Sequence, residues 1–305
     1  MTTTEVRTST DVDRAAGGHP FHITKAEERQ LRMQGANASP ALVVGQASSF
    51  DEYARQLMIP PAVMDLARKA ADLQLSAWEV EAIRKHLAPA EADGSVGLLR
   101  EILRRKAVDD HQHQHPPYIR VACTGSGTYD DLAVEDGHVS SLPAKEGGIG
   151  SPVVLEIWPA QHYSPIHSHG RTTGIVFCLA GQLDVMVYDG LSWDAPKLGL
   201  LTLTAGQCAW LSKDTYAVHK VYCPMNGGDG QTGPLFMNTT DEFGASFHVY
   251  LNEDEVAPEL HDAEGQSRDR FAYIDEHDKR KKWFETHSDL SWSVLRRVLA
   301  ETRLA

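Results

Sequence analysis

The sequence predicts a mainly β protein: an antiparallel sandwich or barrel, preceded by helices and followed by a polar tail that carries one helix. Three observations support this. From Tyr118 onward apolar residues recur with a period near two, in short runs rich in β-branched and aromatic residues. Gly, Pro, Asp and Asn separate those runs. Before Tyr118 the apolar period is that of a helix.

Residues 1–45 are polar and keep no period, which predicts a disordered or loosely attached extension. Residues 46–110 read as a helical covering region. After Pro60-Pro61, the residues Val63, Met64, Leu66, Ala67, Ala70 and Leu73 recur at helical spacing. A second helix opens at Ser76 with Glu79 three residues on, a capping box, and it turns Trp78, Ile83 and Leu87 to one side before Pro89 closes it. A third runs from about Ser95 to Lys106 on Val96, Leu99, Ile102 and Leu103. The alternative use for these helices is a separate binding module.

Residues 111–260 form the barrel region. His111, His113 and His115 alternate with glutamine before Pro116-Pro117 and read as a solvated linker. The strand runs are Val153 to Trp158, Gly174 to Leu179, Leu183 to Tyr188, Gly199 to Leu203, His219 to Tyr222 and Ala245 to Leu251. Residues 261–305 are a polar tail in which Trp292, Leu295, Val298 and Leu299 predict a last helix. The basic run, Asp278-Lys279-Arg280-Lys281-Lys282, reads as a solvated helix face.

An excess of 42 acidic over 29 basic residues, a formal charge of -13, argues against nucleic-acid and anionic-membrane partners. Cys123, Cys178, Cys208 and Cys223 show no paired spacing, so they read as free thiols in a reducing compartment. No segment approaches the roughly 18 apolar residues of a membrane span, and residues 1–20 lack the apolar core of a secretory signal. The expectation is a cytoplasmic protein whose oligomeric state the sequence does not disclose.

The chemistry centres on three histidines. Residues two apart on a strand share a face, so Ile166-His167-Ser168-His169 aims both imidazoles at one point while Ile166 packs the other way. His219, in Thr215-Tyr216-Ala217-Val218-His219, supplies a third ring from a neighbouring strand. Three neutral imidazoles leave the full charge on a divalent ion, and such a set suits iron, zinc, copper or nickel. The bland alternative is that two of these histidines are structural.

The stretch from Gln161 to Gly181 resembles the first signature of the cupin barrel, a jelly-roll of antiparallel strands. Gly181 stands where its glycine belongs, and Gly174 stands where its carboxylate belongs. Within that superfamily, four separated runs resemble the cysteine dioxygenase (thiol dioxygenase) family. They are Trp158 through His169, Gly206 to Leu211 leading to His219, Ser246-Phe247-His248-Val249-Tyr250, and Tyr118-Ile119-Arg120. Together they cover roughly residues 118–251.

The resemblance implies an enzyme that holds one Fe(II) per chain on His167, His169 and His219 and binds a small-molecule thiol together with O2. Both oxygen atoms pass to sulfur, giving a sulfinate. It implies that Arg120, beside Tyr118, grips a substrate carboxylate with its planar guanidinium fork, which points to L-cysteine or a carboxylate-bearing analogue. The competing reading of Arg120 is an ordinary surface ion pair. The resemblance also makes Ser246 and His248 a relay that orients the Tyr250 phenol. The alternative is that Tyr250 and His248 are packed aromatics whose polar ends reach backbone groups.

Two departures stand out. Animal members have a cysteine at the place of Gly174, bonded to the tyrosine matched by Tyr250, and that thioether cannot form here; bacterial relatives commonly have glycine. Tyr163, Pro165 and the insert from Asn226 to Gly233 add bulk or flexibility near the metal loop. They motivate a second reading, a family member recruited to a biosynthetic pathway with a different sulfur-oxidised product. A third reading, from another class, is a non-catalytic cupin that binds a small acid. Trp158 reads as a packing residue under the metal strand, and His162 reads as a loop residue rather than a ligand.

Overall fold

The structure, a computed structural model, describes residues 25–38, 42–43, 52, 55–56, 59, 61–89, 94–109, 118–123, 126–135, 153–168, 172–211, 218–224, 242–252, 269–286 and 288–304. Helices α1 (Lys25–Ala38), α2 (Pro61–Ala71), α3 (Ala77–Leu87) and α4 (Leu98–Asp109) come first, with the two-residue strand β1 (Leu42–Val43) after α1. Then follow β2 (Ile119–Ala122), α5 (Leu132–Glu135), β3 (Val153–Pro159), β4 (Ile166–Ser168), β5 (Thr172–Ala180), β6 (Gln182–Tyr188) and β7 (Lys197–Thr204). The remaining elements are β8 (Gln207–Leu211), β9 (Val218–Tyr222), β10 (Phe243–Asn252), β11 (Asp269–Ile274), β12 (Lys281–Thr286), β13 (Leu290–Ser291) and α6 (Trp292–Leu304).

The protein is mainly β. Among the described residues the strands form two separate sheets rather than one closed barrel, a seven-stranded sheet β1-β8-β5-β10-β3-β2-β13 and a six-stranded sheet β12-β11-β4-β9-β6-β7. Their pairs are antiparallel except β13 on β2. An apolar cluster that draws Trp158, Val176, Cys178 and Ala209 from one sheet and Val185, Val187, Leu201 and Val221 from the other lies between them.

Strand alternation fills the opposite faces too. On the back of the seven-stranded sheet, Ile119, Val121, Leu155 and Ile157 pack with Ile83, Leu99, Ile102 and Leu295 of α3, α4 and α6. Val63, Ala67 and Ala70 of α2 pack with Ile175, Phe177 and Phe247 of the same sheet. The capping box at the start of α3 is present: Glu79 N donates to Ser76 Oγ, and Ser76 N donates to Glu79 Oε2 at 2.8 Å.

Two segments depart from the sequence expectation. Within the stretch 1–45, read as a loose extension, residues 25–38 form α1, which covers the outer face of the six-stranded sheet. Leu31 is buried there with Ile166, Met186, Tyr188 and Leu200. Glycines make the fit: a Cβ on Gly35 would lie 2.8 Å from the Leu200 carbonyl oxygen, and one on Gly199 would lie 2.9 Å from the Gly35 Cα. Residues 1–24 lie outside the described residues. The second departure is the polar tail, whose residues supply β11, β12 and β13 as well as α6.

The basic run 278–282 is correspondingly a turn and a strand start, not a helix face. The Asp275 carboxylate accepts the backbone N–H of His277 at 2.9 Å and of Asp278 at 3.0 Å, closing the turn. Lys282 Nζ then reaches Asp275 at 2.8 Å and Asp278 at 3.0 Å. A local carboxylate that captures backbone donors favours a turn over helix continuation. All four cysteines are free thiols, and Cys178, Cys208 and Cys223 are buried. Among the described residues no helix is long and apolar enough to cross a membrane.

Candidate functional site

β4 and β9 are neighbours, and in their register His167 and His219 are Cα partners. Val187, the partner of His219 on β6, and Val221, two residues along β9, both belong to the cluster between the sheets, so the His219 ring faces the interior. Ile166 is turned to the outer face, against α1. Both histidines are buried, and their ring centroids lie 4.4 Å apart at 56°.

His167 Nδ1 sits 2.9 Å from the Pro165 carbonyl oxygen. A carbonyl only accepts, so Nδ1 carries the proton; when the ring is neutral its lone pair is on Nε2, the tautomer a metal-ligating histidine adopts when its other nitrogen is tied to backbone. Tyr273 on β11 is the Cα partner of His167 on the other side and is buried. His169, the third predicted ligand, lies outside the described residues. Among the described residues no group of three His, Cys, Asp or Glu side chains converges to hold a metal ion.

The facing sheet contributes polar residues to the same interior. Arg120 on β2, Glu156 on β3 and Ser246 on β10 are Cα partners in a row. Arg120 Nη1 donates to Glu156 Oε1 at 3.1 Å, and the second carboxylate oxygen, Oε2, lies 3.0 Å from His248 Nε2. Ser246 Oγ is 2.6 Å from the same nitrogen and accepts from Trp158 Nε1 at 2.8 Å. The Tyr118 ring stacks on Trp158, with centroids 3.9 Å apart.

Arg120 and Glu156 are each 4% exposed, so the pair is held where desolvation is costly. Burial pushes the Glu156 carboxyl upward, but the hydrogen bond from His248 and the Arg120 guanidinium hold the group below its ordinary value. The carboxylate is therefore ionised and acceptor-only, which requires His248 Nε2 to carry a proton. Arg120 is thus an ion-pair residue, but a buried one on the inner face. The reading of an ordinary surface pair is corrected.

A clamp from the C-terminal segment fixes the strand that carries Arg120. Asp289 N donates to the Arg120 carbonyl at 2.7 Å, and Asp289 Oδ2 accepts from Arg120 N at 2.8 Å. Lys106 Nζ donates to that same Oδ2 at 2.8 Å and to the Tyr118 carbonyl at 2.6 Å. Burial lowers the Lys106 pKa, and the opposing pull of Asp289 does not fully restore it.

Of the other sequence-predicted residues, Tyr250 lies on β10 with Gly174 of β5 as its Cα partner; its side chain is outside what is described. His162 is a structural histidine. Its Nδ1 donates to the Ala160 carbonyl at 2.7 Å, and burial lowers its pKa to about 4. The Tyr163 hydroxyl reaches Glu276 Oε2 at 3.0 Å, and Lys220 Nζ sits 3.7 Å from its ring centroid. The histidines at 111, 113 and 115 and the insert 226–233 lie outside the described residues.

Sequence reasoning missed Glu156, Tyr273, Lys106 and Asp289. Glu156 left a signal, being a lone carboxylate in an apolar strand two residues before the inward-facing Trp158. The others left none, because their partners are brought to them by pairings far apart in the chain.

No family model and no curated relative matches the chain. Among solved structures, the DMSP lyase DddQ from Ruegeria pomeroyi DSS-3 is similar at 18% identity over 34% of this chain and 40% of that one, with a TM-score of 0.22. The ribosomal oxygenase YcfD from Escherichia coli gives 9% identity over 35% of this chain and 24% of that one, with a TM-score of 0.26. CENP-C from Drosophila melanogaster bound to CAL1 gives 7%, 32%, 64% and 0.23 for the same quantities. The chain thus spans less than two thirds of each of these proteins, and likenesses this slight carry no argument about family or activity.

Proposed function

We propose that this chain is a cysteine-dioxygenase-like cupin, its two sheets forming a jelly-roll, that acts as an Fe(II)-dependent thiol dioxygenase. It adds both atoms of O2 to the sulfur of L-cysteine or a carboxylate-bearing analogue and yields a sulfinate. The observation that carries the reading is the buried histidine pair, His167 and His219, sharing the inter-sheet interior with the polar set Arg120, Glu156, His248 and Ser246. The cross-strand partnership of Tyr250 and Gly174 supports it further, since the resemblance pairs those two positions.

His167 and His219, with His169, would hold the iron, and the Nδ1-protonated form of His167 fits that task. When bound, the metal lowers the thiol pKa and so favours a thiolate without a separate protein base. The chain's own residues do the rest. Arg120 anchors the substrate carboxylate in a buried setting where a charge-assisted contact is strong. Glu156 and Ser246 hold His248 protonated at Nε2, which makes Nδ1 its acceptor nitrogen, the role that orienting the Tyr250 phenol requires. The surrounding apolar cluster excludes water.

Protein reconstituted anaerobically with ferrous iron should retain about one iron per chain by elemental analysis and should consume O2 with L-cysteine. His167→Ala and His219→Ala should each lose the iron while remaining folded by circular dichroism. A wild-type protein that keeps no iron, or variants that keep as much as the wild type, would overturn the assignment.

A further inference from the structure

Strand β12 ends the six-stranded sheet, and among the described residues nothing pairs with its outer side. It runs along β11 from Lys281 opposite Ile274 to Thr286 opposite Asp269 without a register shift, so this edge carries no bulge to deflect another strand. Trp283 is 64% exposed there, a large apolar ring on the kind of edge that proteins usually blunt. Ile274, the partner of Lys281, packs in the cluster beneath α1, so alternation puts positions 281, 283 and 285 on the outer face of the sheet. Lys281 Nζ lies 5.6 Å from the Trp283 ring centroid, while Lys282 is engaged by Asp275 and Asp278. Position 285 holds a glutamate. Edge lysines ordinarily keep strands apart, so the register decides whether a second strand fits.

We infer that β12 pairs antiparallel with β12 of a second copy of this chain, about a twofold axis at Trp283, so that the six-stranded sheets of the two copies run on as one. Such an axis stands perpendicular to the sheet, and residues that oppose each other across it come from the same face. Centred on Trp283, it sets position 281 of each copy against position 285 of the other, lysine opposite glutamate, with the two indoles between. Opposite charges and paired aromatics are both favourable cross-strand combinations. Moving the axis to Lys282 sets lysine against lysine, and moving it to Phe284 sets Trp283 against Glu285. The Trp283 register alone is complementary in charge, and it covers the protruding indole. A formal charge of -13 on each copy opposes association, and this basic stretch offsets that repulsion locally. A contact of one short strand belongs to the small class of interfaces, so the dimer exchanges with monomer at micromolar concentration.

Sedimentation equilibrium of the full chain between about 1 and 200 µM tests this, with circular dichroism of each variant as the check on folding. The wild type should pass from monomer to dimer across that range. Lys281→Glu, and separately Glu285→Lys, opposes like charges at both symmetric places and should weaken the dimer about tenfold or more. The double variant exchanges the charges without removing the pairs and should return to within about threefold of the wild type. Trp283→Thr, which keeps a good strand former, should weaken the dimer comparably. Should that variant unfold, the charge exchange alone decides.

A chain that stays monomeric at every concentration would overturn the inference. So would a dimer that the charge variants leave unchanged, since it would lie on another surface. A dimer that both single charge variants weaken and the double variant does not restore would deny the register. A monomer that instead binds poly-L-glutamate, and loses that binding in Lys281→Glu, would give the edge to an acidic partner and remove the second copy from it.

Discussion

Replacing Asp289 by alanine removes one acceptor that two buried donors share. Asp289 Oδ2 takes Lys106 Nζ at 2.8 Å and the Arg120 backbone N–H at 2.8 Å, and both Lys106 and Asp289 are almost wholly enclosed. Breaking a buried ion pair from one side costs about 3–5 kcal/mol, because the remaining charge stays desolvated. A stranded backbone N–H adds about 1 kcal/mol or more. The two terms overlap where the loop relaxes, so we expect a loss of about 4 kcal/mol. At about 2–4 °C per kcal/mol for a large domain, Tm should fall by roughly 10 °C. Urea and thermal unfolding measure this directly. Asp289→Asn, which keeps an acceptor oxygen, should lose less. The double replacement Lys106→Met with Asp289→Leu should recover most of the loss, since neither member of that ion pair is then left buried without its partner. A loss under about 1 kcal/mol in Asp289→Ala, or a double variant as unstable as the single one, would refute the reasoning.

Two further outcomes concern the helices. Gly35→Ala places a Cβ 2.8 Å from the Leu200 carbonyl oxygen and should cost about 1–3 kcal/mol, with proteolysis in the α1 segment accelerated; unchanged cleavage would show that α1 does not need that approach. The Glu101 carboxyl is held at about 2, chiefly by its hydrogen bond to Arg104, against an opposing effect of burial and with help from Arg105. Its folded pKa lies below the unfolded value of 4.5, so its contribution is complete above that value and disappears as pH falls toward 2. Glu101→Gln should therefore lower stability at pH 7 by less than about 1 kcal/mol, the exposed arginines being well screened, and should match the wild type near pH 2 in urea titrations.

Much of this architecture is legible in the sequence. Helices α2, α3, α4 and α6 announce themselves through helical spacing and the capping box at Ser76, and β3 to β7, β9 and β10 through alternation. Helix α1 does not, because its seat depends on Leu31 and on Gly35 meeting Gly199 of β7, far along the chain. Strands β11 and β12 escape because β12 is an edge strand whose Trp283 and lysines face solvent, so the polar pattern resembles a tail. In the site, the pairing of His167 with His219 follows from two strands that carry their own signals. The Glu156 bridge does not follow, because it needs the registers of β2, β3 and β10 at once, and no local pattern encodes a register across three strands.

The last stretch of the chain enters both sheets: β11 lies beside β4, with Tyr273 against His167, while β13 lies beside β2, with Asp289 gripping Arg120. During synthesis these residues leave the ribosome after every other strand has been made. The histidine strand and the arginine strand must therefore wait, each with one flank unpaired, until β11 and β13 have been made. Pairing in that order during vectorial folding ties maturation of the interior to the emergence of β11 and β13, so nascent chains that stop short of them would carry the chemistry-bearing residues without the strands that brace them.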